Sequence, residues 1–381
     1  MNELQKAREI INRVDREMAD LFEERMDAVK LVTQYKKENG IPVDDFGREE
    51  EIIKCNSENI ENDEYRSYYV NFLRNNIKIS KDLQHRLLEG MTVAYSGVEG
   101  AFANIAARKI FQDARCLPYA DFKAAYRAVE KGNCDCAILP IENSFNGDVG
   151  NVLDLAFFGS LYINGVYEAE IVQNLIGVKG ATITDIKKVI SHPQALGQCA
   201  NFIDKHTFDT ENAVNTAVAA KMISEKNDKS LAAIGSIEAA QLFGLQVVAE
   251  KINDSGTNTT RFAVFSRSNK TPSPSDDRFV MLFTVKNTAG ALGEAISVIG
   301  QHGFNLRALK SRPTKELIWD YFFYAEGEGN INSPQGEAML EQLKEENARA
   351  EEIDALEEYV GTDEYVEDVA KEKLGLVNPN E

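Results

Sequence analysis

Asp254-Ser-Gly-Thr-Asn-Thr-Thr-Arg-Phe262 runs directly into the apolar stretch Phe262-Ala-Val-Phe265, so hydroxyls, an amide and a cation crowd into nine residues at the mouth of a strand. Thr259 and Thr260 supply neutral hydrogen-bond donors, and the Arg261 guanidinium is a fork suited to a carboxylate. Such a loop holds a small anion while a hydroxyl acts on it. Taken alone, these nine residues read more simply as a turn feeding a strand. The loops elsewhere in the chain change that reading.

From Met91 to Phe265 short apolar runs alternate with helical segments: 91–95, 136–140, 163–178, 188–190, 231–234, 246–249 and 262–265. That texture is α/β. Pro140-Ile-Glu-Asn-Ser144 and Ser191-His-Pro-Gln-Ala-Leu196 each follow such a run. Gly97-Val-Glu-Gly100 sits where a strand passes into a helix, a turn able to hold an anion, yet no G-x-G-x-x-G or Walker sequence accompanies it. A nucleotide cofactor is excluded, and no cofactor of any other kind is implied.

Upstream, Leu4, Ile11, Val14, Met18, Leu21, Phe22, Met26, Val29 and Val32 recur at helical spacing, with no Pro or Gly before Gly40-Ile-Pro42. One helix over about 3–38 would run on the order of 50 Å at ~1.5 Å per residue, too long for the following segment to cover. A partner chain is implied. Further helices are expected at about 46–58 and 64–88. Arg25, Val29, Val32 and Lys36 share a face of the first helix, Arg8 is rotated off it, and Leu73, Ile77, Ser80 and Gln84 form a stripe on the third that turns polar at its end.

The 381 residues, 43 % hydrophobic, give two or three domains with real cores. A net charge of −19 excludes general binding to nucleic acid or anionic membrane, so an acidic ligand must be met by local cations. The absence of an apolar leader or a long apolar run predicts a cytoplasmic protein. Cys134-x-Cys136 has the wrong spacing for a zinc knuckle and the other three cysteines stand alone, which predicts neither disulfide nor metal.

Residues 1–88 resemble the all-helical chorismate mutases at Arg8, Arg25, Lys36, Asp45, Arg48, Glu49 and Gln84. The resemblance implies a dimer in which Arg8 of the partner chain, Arg25 and Arg48 grip carboxylates, Lys36 and Gln84 face the ether oxygen, Glu49 takes the substrate hydroxyl and Asp45 lines the site. The chemistry suits these residue types, because a pericyclic rearrangement needs a folded substrate and donors beside the breaking bond, not a base or cofactor.

Residues 91–267 resemble the prephenate dehydratase family in the Gly-Val-Glu-Gly-Ala-Phe opening, the loops after 140 and 191, and Thr260-Arg261-Phe262. The implied fold is two α/β lobes like a type 2 periplasmic binding protein, lobe one at about 91–167 plus 246–267 and lobe two at 168–245. The implied roles are Thr260 donating to the departing hydroxyl, Asn143 and Ser144 holding the ring carboxylate, Ser191, His192 and Gln194 lining the site, and Arg261 anchoring the pyruvyl end. A His before Pro reads equally as a structural hydrogen-bonder. Ala103 stands where the family often carries Ser or Thr.

After a linker at 269–277, expected elements at 278–286, 290–301, 304–311, 317–325, 335–347 and 353–360 spell βαββαβ. With Gly290-Ala291-Leu292 and Ser311-Arg312-Pro313, residues 278–361 resemble an ACT regulatory domain, an α+β ferredoxin-like fold that senses phenylalanine; residues 362–381 form an acidic tail. Lys310 replaces the Glu of the family's Glu-Ser-Arg-Pro: if that Glu contacts the ligand ammonium, the reversed charge would weaken binding by on the order of 1 kcal/mol or more, and if it only supports the loop, little changes. Retained binding is expected, with Gly290, Ala291 and Leu292 forming the receiving turn and Trp319 an aromatic wall.

The expected protein is therefore multidomain. A mutase domain (1–89) makes prephenate from chorismate, a dehydratase domain (90–268) consumes it, and phenylalanine inhibits through the third domain. The competing class is a two-lobed aromatic amino-acid-binding regulator with degenerate catalytic loops.

Overall fold

The computed structural model describes residues 2–315 and 320–346. Contacts divide the chain into two compact units, one of Met1–Gly147 with Gly165–Arg267, the other of Asp148–Asn164 with the residues from Ser268 onward.

In the first unit, α1 (Glu3–Asn39) starts in a capping box between Asn2 and Gln5 and stops at Gly40, whose φ of +64° suits a residue without a Cβ. Next come α2 (Phe46–Ser57), capped by Asp45, and α3 (Asp63–Glu89), capped by Asn62. Both α1 and α2 pack on α3. The predicted stripe on α3 is the buried one, at Ile77, Ser80 and Gln84. Leu4, Ile11, Val14, Met18, Leu21 and Phe22 on α1 remain exposed.

The α/β part follows as β1 (Thr92–Ser96), α4 (Phe102–Ile110), β2 (Arg115–Tyr119), α5 (Phe122–Glu130), β3 (Cys136–Asn143), β4 (Gly147–Asp148), α6 (Gly150–Phe158) and β5 (Tyr162–Glu170). The chain then crosses to β6 (Asn174–Gly177), β7 (Lys188–Ser191), α7 (Pro193–Gly197), α8 (Ala200–His206), β8 (Asp209–Asn212), α9 (Thr216–Lys226), β9 (Leu231–Gly235), α10 (Ile237–Leu242) and β10 (Gln246–Ala249), and returns as β11 (Thr259–Ser266). Two sheets result, ordered β2-β1-β3-β11-β5, with β4 beside β3, and β10-β6-β9-β7-β8.

Two expectations are corrected here. The apolar run 163–178 is two strands in different sheets, and β10 pairs antiparallel with β6, so the return to lobe one falls after Ala249 rather than at 246. Each sheet buries its own apolar layer, Val93, Ile138, Phe262 and Val264 in one and Ile176, Ile190, Ala233 and Ile234 in the other. A fully buried Ile or Phe contributes about 1.5–3 kcal/mol, so each sheet is held by an apolar layer of its own. The two crossings are tied side by side: Ile171 N–H donates to Asn258 O (2.8 Å), Ile252 N–H to Gln173 O (2.9 Å), and Gln173 N–H to Asn253 Oδ1 (2.7 Å).

The second unit contains β12 (Arg278–Thr284), α11 (Ala291–Gln301), β13 (Asn305–Pro313), β14 (Tyr321–Glu328) and a helical run at 334–346, with an antiparallel sheet ordered β12-β14-β13. Of the third expected strand, 317–325, residues 317–319 lie outside the described residues, and the strand seen runs Tyr321–Glu328. Phe279, Val298, Ile299, Phe304 and Met339 form the core. Trp319, the expected strand at 353–360 and the acidic tail lie outside the described residues. A further correction concerns α6: residues 148–164, expected in lobe one, group with this unit. Phe157 stacks on Phe322 with ring centroids 4.1 Å apart, and Arg312 lies over Gly150, where any Cβ would collide with the guanidinium.

Candidate active sites

β3 and β11 are antiparallel neighbours, with Thr260 opposite Asn143 and Arg261 opposite Glu142. This pairing brings the loop after 140 and the loop before 262 together. The register slips between Arg261 and Phe262, a bulge of the kind that re-aims side chains beside functional sites. Thr260 is 9 % exposed, and its Oγ1 accepts from Asn143 Nδ2 at 3.0 Å.

The other expected substrate contacts are engaged within the chain. Asn143 Oδ1 accepts the backbone N–H groups of Phe145 (3.1 Å) and Asn146 (3.0 Å), and its Nδ2 also reaches Asn258 Oδ1 (2.9 Å). Ser144 Oγ donates to Thr257 O and accepts Thr259 N–H, both at 2.9 Å. Arg261 pairs with Glu142 at 3.1 Å.

On the second lobe, Ser191 is fully buried and donates to Ile234 O at 2.8 Å, a contact within the sheet. His192 caps α7, its Nδ1 accepting the Gln194 N–H at 3.2 Å; burial lowers its pKa, which keeps it a neutral acceptor. Gln194 is exposed. Ala103 packs against the apolar layer of lobe one.

A second cluster forms between α1 and α3. Arg25 Nη1 donates to Asn76 O (3.2 Å) and to Ser80 Oγ, and burial lowers its pKa without discharging a guanidinium. Lys36 Nζ donates to Val43 O at 2.8 Å. Gln84 is buried, its Nε2 on Ser80 O (3.3 Å) and its Oε1 without a hydrogen-bond partner among the described residues. Asp45 caps α2 by accepting Arg48 N–H at 3.0 Å. Arg48 is exposed and pairs with Glu51 at 2.6 Å, and Arg8 is exposed on α1. Glu49 accepts from Lys81 at 2.9 Å, in a groove of about 360 Å³ between α2 and α3 lined in part by Phe46, Ile77 and His85.

In the second unit Gly290 (φ +94°) opens α11, forming the tight turn expected at Gly290, Ala291 and Leu292. Lys310, Ser311, Arg312 and Pro313 lie on β13. Lys310 pairs with Asp148 at 2.6 Å, while Arg312 (2.7 Å) and Lys315 (2.6 Å) both hold Asp154. Burial opposes the charge on Asp154, but the hydrogen bonds from Arg312 and Lys315 outweigh it and draw its pKa below the usual 3.8. The lowered value means that the Asp154 contribution to stability is full above the ordinary carboxylate pKa and is lost as pH falls through the lowered one. Asp154→Ala is expected to cost about 1–3 kcal/mol by leaving Arg312 unpaired. Thermal unfolding at pH 7 checks this, and an unchanged midpoint counts against it.

Residues 93–270 match the prephenate dehydratase family and residues 7–85 match chorismate mutase type II. A bifunctional chorismate mutase/prephenate dehydratase of Aquifex aeolicus (strain VF5) is 31 % identical over 352 residues, 91 % of this chain and 95 % of that one. The chain belongs to the bifunctional chorismate mutase/prephenate dehydratase family. The prephenate dehydratase of Arthrobacter aurescens, solved in complex with L-Phe, is 30 % identical with a TM-score of 0.62, covering 66 % of this chain and 85 % of that one. A structure described as GqqA, a novel type of quorum quenching acylases, is also 30 % identical, with a TM-score of 0.60 over 66 % of this chain and 92 % of that one. Fold alone therefore does not select the chemistry, and the site residues must.

Several residues of this family member were not singled out from sequence. Lys81 bridges Asp44 (2.5 Å) and Glu49 and lies 5.4 Å from the Phe46 ring centroid, placing a cation beside Glu49. Hydrogen bonds from Lys81 to Asp44 and then Glu49 raise its pKa against the effect of burial. Asn258 and Gln198 sit behind Thr260, at 4 % and 6 % exposure. Buried amides beside a hydroxyl-rich loop were the available signal for Asn258; for Lys81 there was none, because its partners lie on another helix.

Proposed function

We propose that this chain rearranges chorismate to prephenate in residues 1–89 and converts prephenate to phenylpyruvate in residues 90–268, two consecutive steps of phenylalanine biosynthesis. The observation that carries the second step is Thr260, a nearly buried neutral donor in register with Asn143. Prephenate loses carbon dioxide and its ring hydroxyl. The electrons of the breaking C–CO₂ bond close the aromatic ring, and the C–O pair leaves with the hydroxyl as it takes a hydrogen bond from Thr260. A cation on the leaving carboxylate would hold it back, so neutral donors suit this reaction.

For the first step Arg25, Lys36 and the NH₂ of Gln84, which has a second proton besides the one on Ser80 O, supply donors to a dianion whose ether bond breaks as a carbon–carbon bond forms. The exposed apolar stripe of α1 supports packing against a second copy, whose Arg8 would complete the site. Purified protein supplied with chorismate should yield phenylpyruvate, read by its absorbance in alkali with no acid step, and prephenate should do the same. Binding of an aromatic amino acid without turnover would establish the regulator reading instead.

The second unit acts as an ACT-type sensor of phenylalanine, supported by its β12-β14-β13 order, the Gly290 turn and the L-Phe bound to the Arthrobacter relative. Because Lys310 is committed to Asp148, its charge is answered locally and does not confront a ligand ammonium. Phenylalanine is expected to inhibit dehydration in the wild type more strongly than tyrosine. No inhibition by either would end the sensor assignment, and inhibition appearing only in Lys310→Glu would return Lys310 to the ligand. The five free cysteines fit action in the cytosol.

A further inference from the structure

Behind Thr260 four amide side chains join end to end. Gln173 Nε2 donates to Gln198 Oε1 (3.2 Å), Asn258 Nδ2 donates to the same oxygen (2.9 Å), and Asn143 Nδ2 donates to Asn258 Oδ1 (2.9 Å) and to Thr260 Oγ1 (3.0 Å). The chain spans both crossings between the lobes, since Gln173 lies in one, Asn258 in the other, and Gln198 follows α7 in the second lobe.

An amide has two ways round, and which way it stands decides who donates. Here the backbone decides. Phe145 and Asn146 both point their N–H groups at Asn143 Oδ1, and Thr259 O faces Asn143 Nδ2 at 3.2 Å. Turning the amide over would set its NH₂ against two donors and its oxygen against a carbonyl. The two Nδ2 protons face three oxygens; the shorter contacts are Asn258 Oδ1 (2.9 Å) and Thr260 Oγ1 (3.0 Å), and Thr259 O already accepts Ser144 N–H at 2.8 Å. Asn143 therefore gives a proton to Thr260, and a hydroxyl that receives on one side keeps its single proton for another partner.

We propose that Asn143 is a positioning residue which, locked by the Phe145 and Asn146 N–H groups, makes the Thr260 hydroxyl present its proton to the substrate, with Asn258 and Gln198 steadying that amide across the two crossings. The inference rests on the dehydratase reading. It also replaces the expectation that Asn143 holds the ring carboxylate, because both ends of its amide are already engaged.

Two isosteric substitutions separate direction from charge. Asn143→Asp keeps the oxygen that accepts from the loop but turns the donor into an acceptor, so Thr260 must donate to it. Asn258→Asp adds the same charge one link away and leaves Asn143 donating to Thr260. The charged groups on the packed segments, Glu142, Arg261, Glu168 and Asp254, are the same in both variants.

In Asn143→Asp the kcat for prephenate should fall about a hundredfold or more at neutral pH, with a smaller change in KM, and should recover as pH is lowered and the new carboxyl regains a proton to give. In Asn258→Asp the loss should stay under about tenfold with no such recovery. Equal losses in the two variants, or an Asn143→Asp enzyme with wild-type kcat, would overturn the proposal. Mutase activity of the same preparations reports folding. A readout independent of turnover is the exchange of the Asn143 and Asn258 side-chain amide protons by ¹H–¹⁵N spectroscopy, each signal assigned by its loss in the matching variant. Slow exchange is expected, and rapid exchange overturns the amide chain whatever the activity. Protected signals in a wild-type protein that makes no phenylpyruvate would count against the dehydratase reading.

Discussion

Thr260→Val is expected to lower kcat for prephenate dehydration by about 10²–10³, the usual cost of removing one donor from a developing negative charge, while substrate binding weakens far less. Val keeps the branched shape at a site that is 9 % exposed, so the strand pairing with Asn143 should survive. The substitution would remove the proton proposed to meet the departing hydroxide, while Asn143 Nδ2 keeps Asn258 Oδ1 (2.9 Å) and Thr259 O (3.2 Å) as acceptors. Steady-state kinetics on supplied prephenate separate the two parameters. Unchanged turnover would take Thr260 out of the mechanism.

Arg25→Ala, and separately Lys36→Ala, should lower chorismate conversion by at least about 10²–10³ while supplied prephenate is still dehydrated at the wild-type rate. Both cations are proposed to act on a substrate whose charge develops at the ether oxygen, and their hydrogen bonds go to Asn76, Ser80 and Val43, away from the β3–β11 loops. Arg25 is the more demanding case, because its removal also leaves Asn76 O and Ser80 Oγ without their guanidinium. The dehydratase assay on the same preparation shows whether the chain is still folded. Loss of both activities in a variant with an unchanged melting point would mean that the two chemistries share one site.

Local rules carry far in this chain. The first helix was legible because thirty-seven residues pass without Gly or Pro between a capping box and Gly40. The α3 stripe was legible as well, including its polar end. What failed was long-range pairing. Strand β10 is four residues whose sheet is set by β6, a partner far back in the chain, and nothing within 246–249 announces that choice. The segment 148–164 reads as lobe one by position, but Phe157 and Asp154 find their partners on β13 and β14. For Asn143 the residue was found and its role misread, since the direction of its amide depends on the two backbone N–H groups that reach it.

The placement of α6 bears on how such a chain can be cut or recombined. The residues that Arg312 and Phe322 hold are encoded between β4 and β5, well upstream of the proline-containing linker that looks like the natural joint. A truncation at that linker would strip the cover from Phe157 and leave Asp154 without its cations, so the shortened product would begin life with a sticky aromatic face. A C-terminal unit transplanted alone would lack the helix that fills its own sheet. Gly150 narrows the options further, because a side chain brought to that position must shift the guanidinium lying on it. The separable piece in this protein is a discontinuous one, and grafting regulation onto another enzyme would require moving both stretches together.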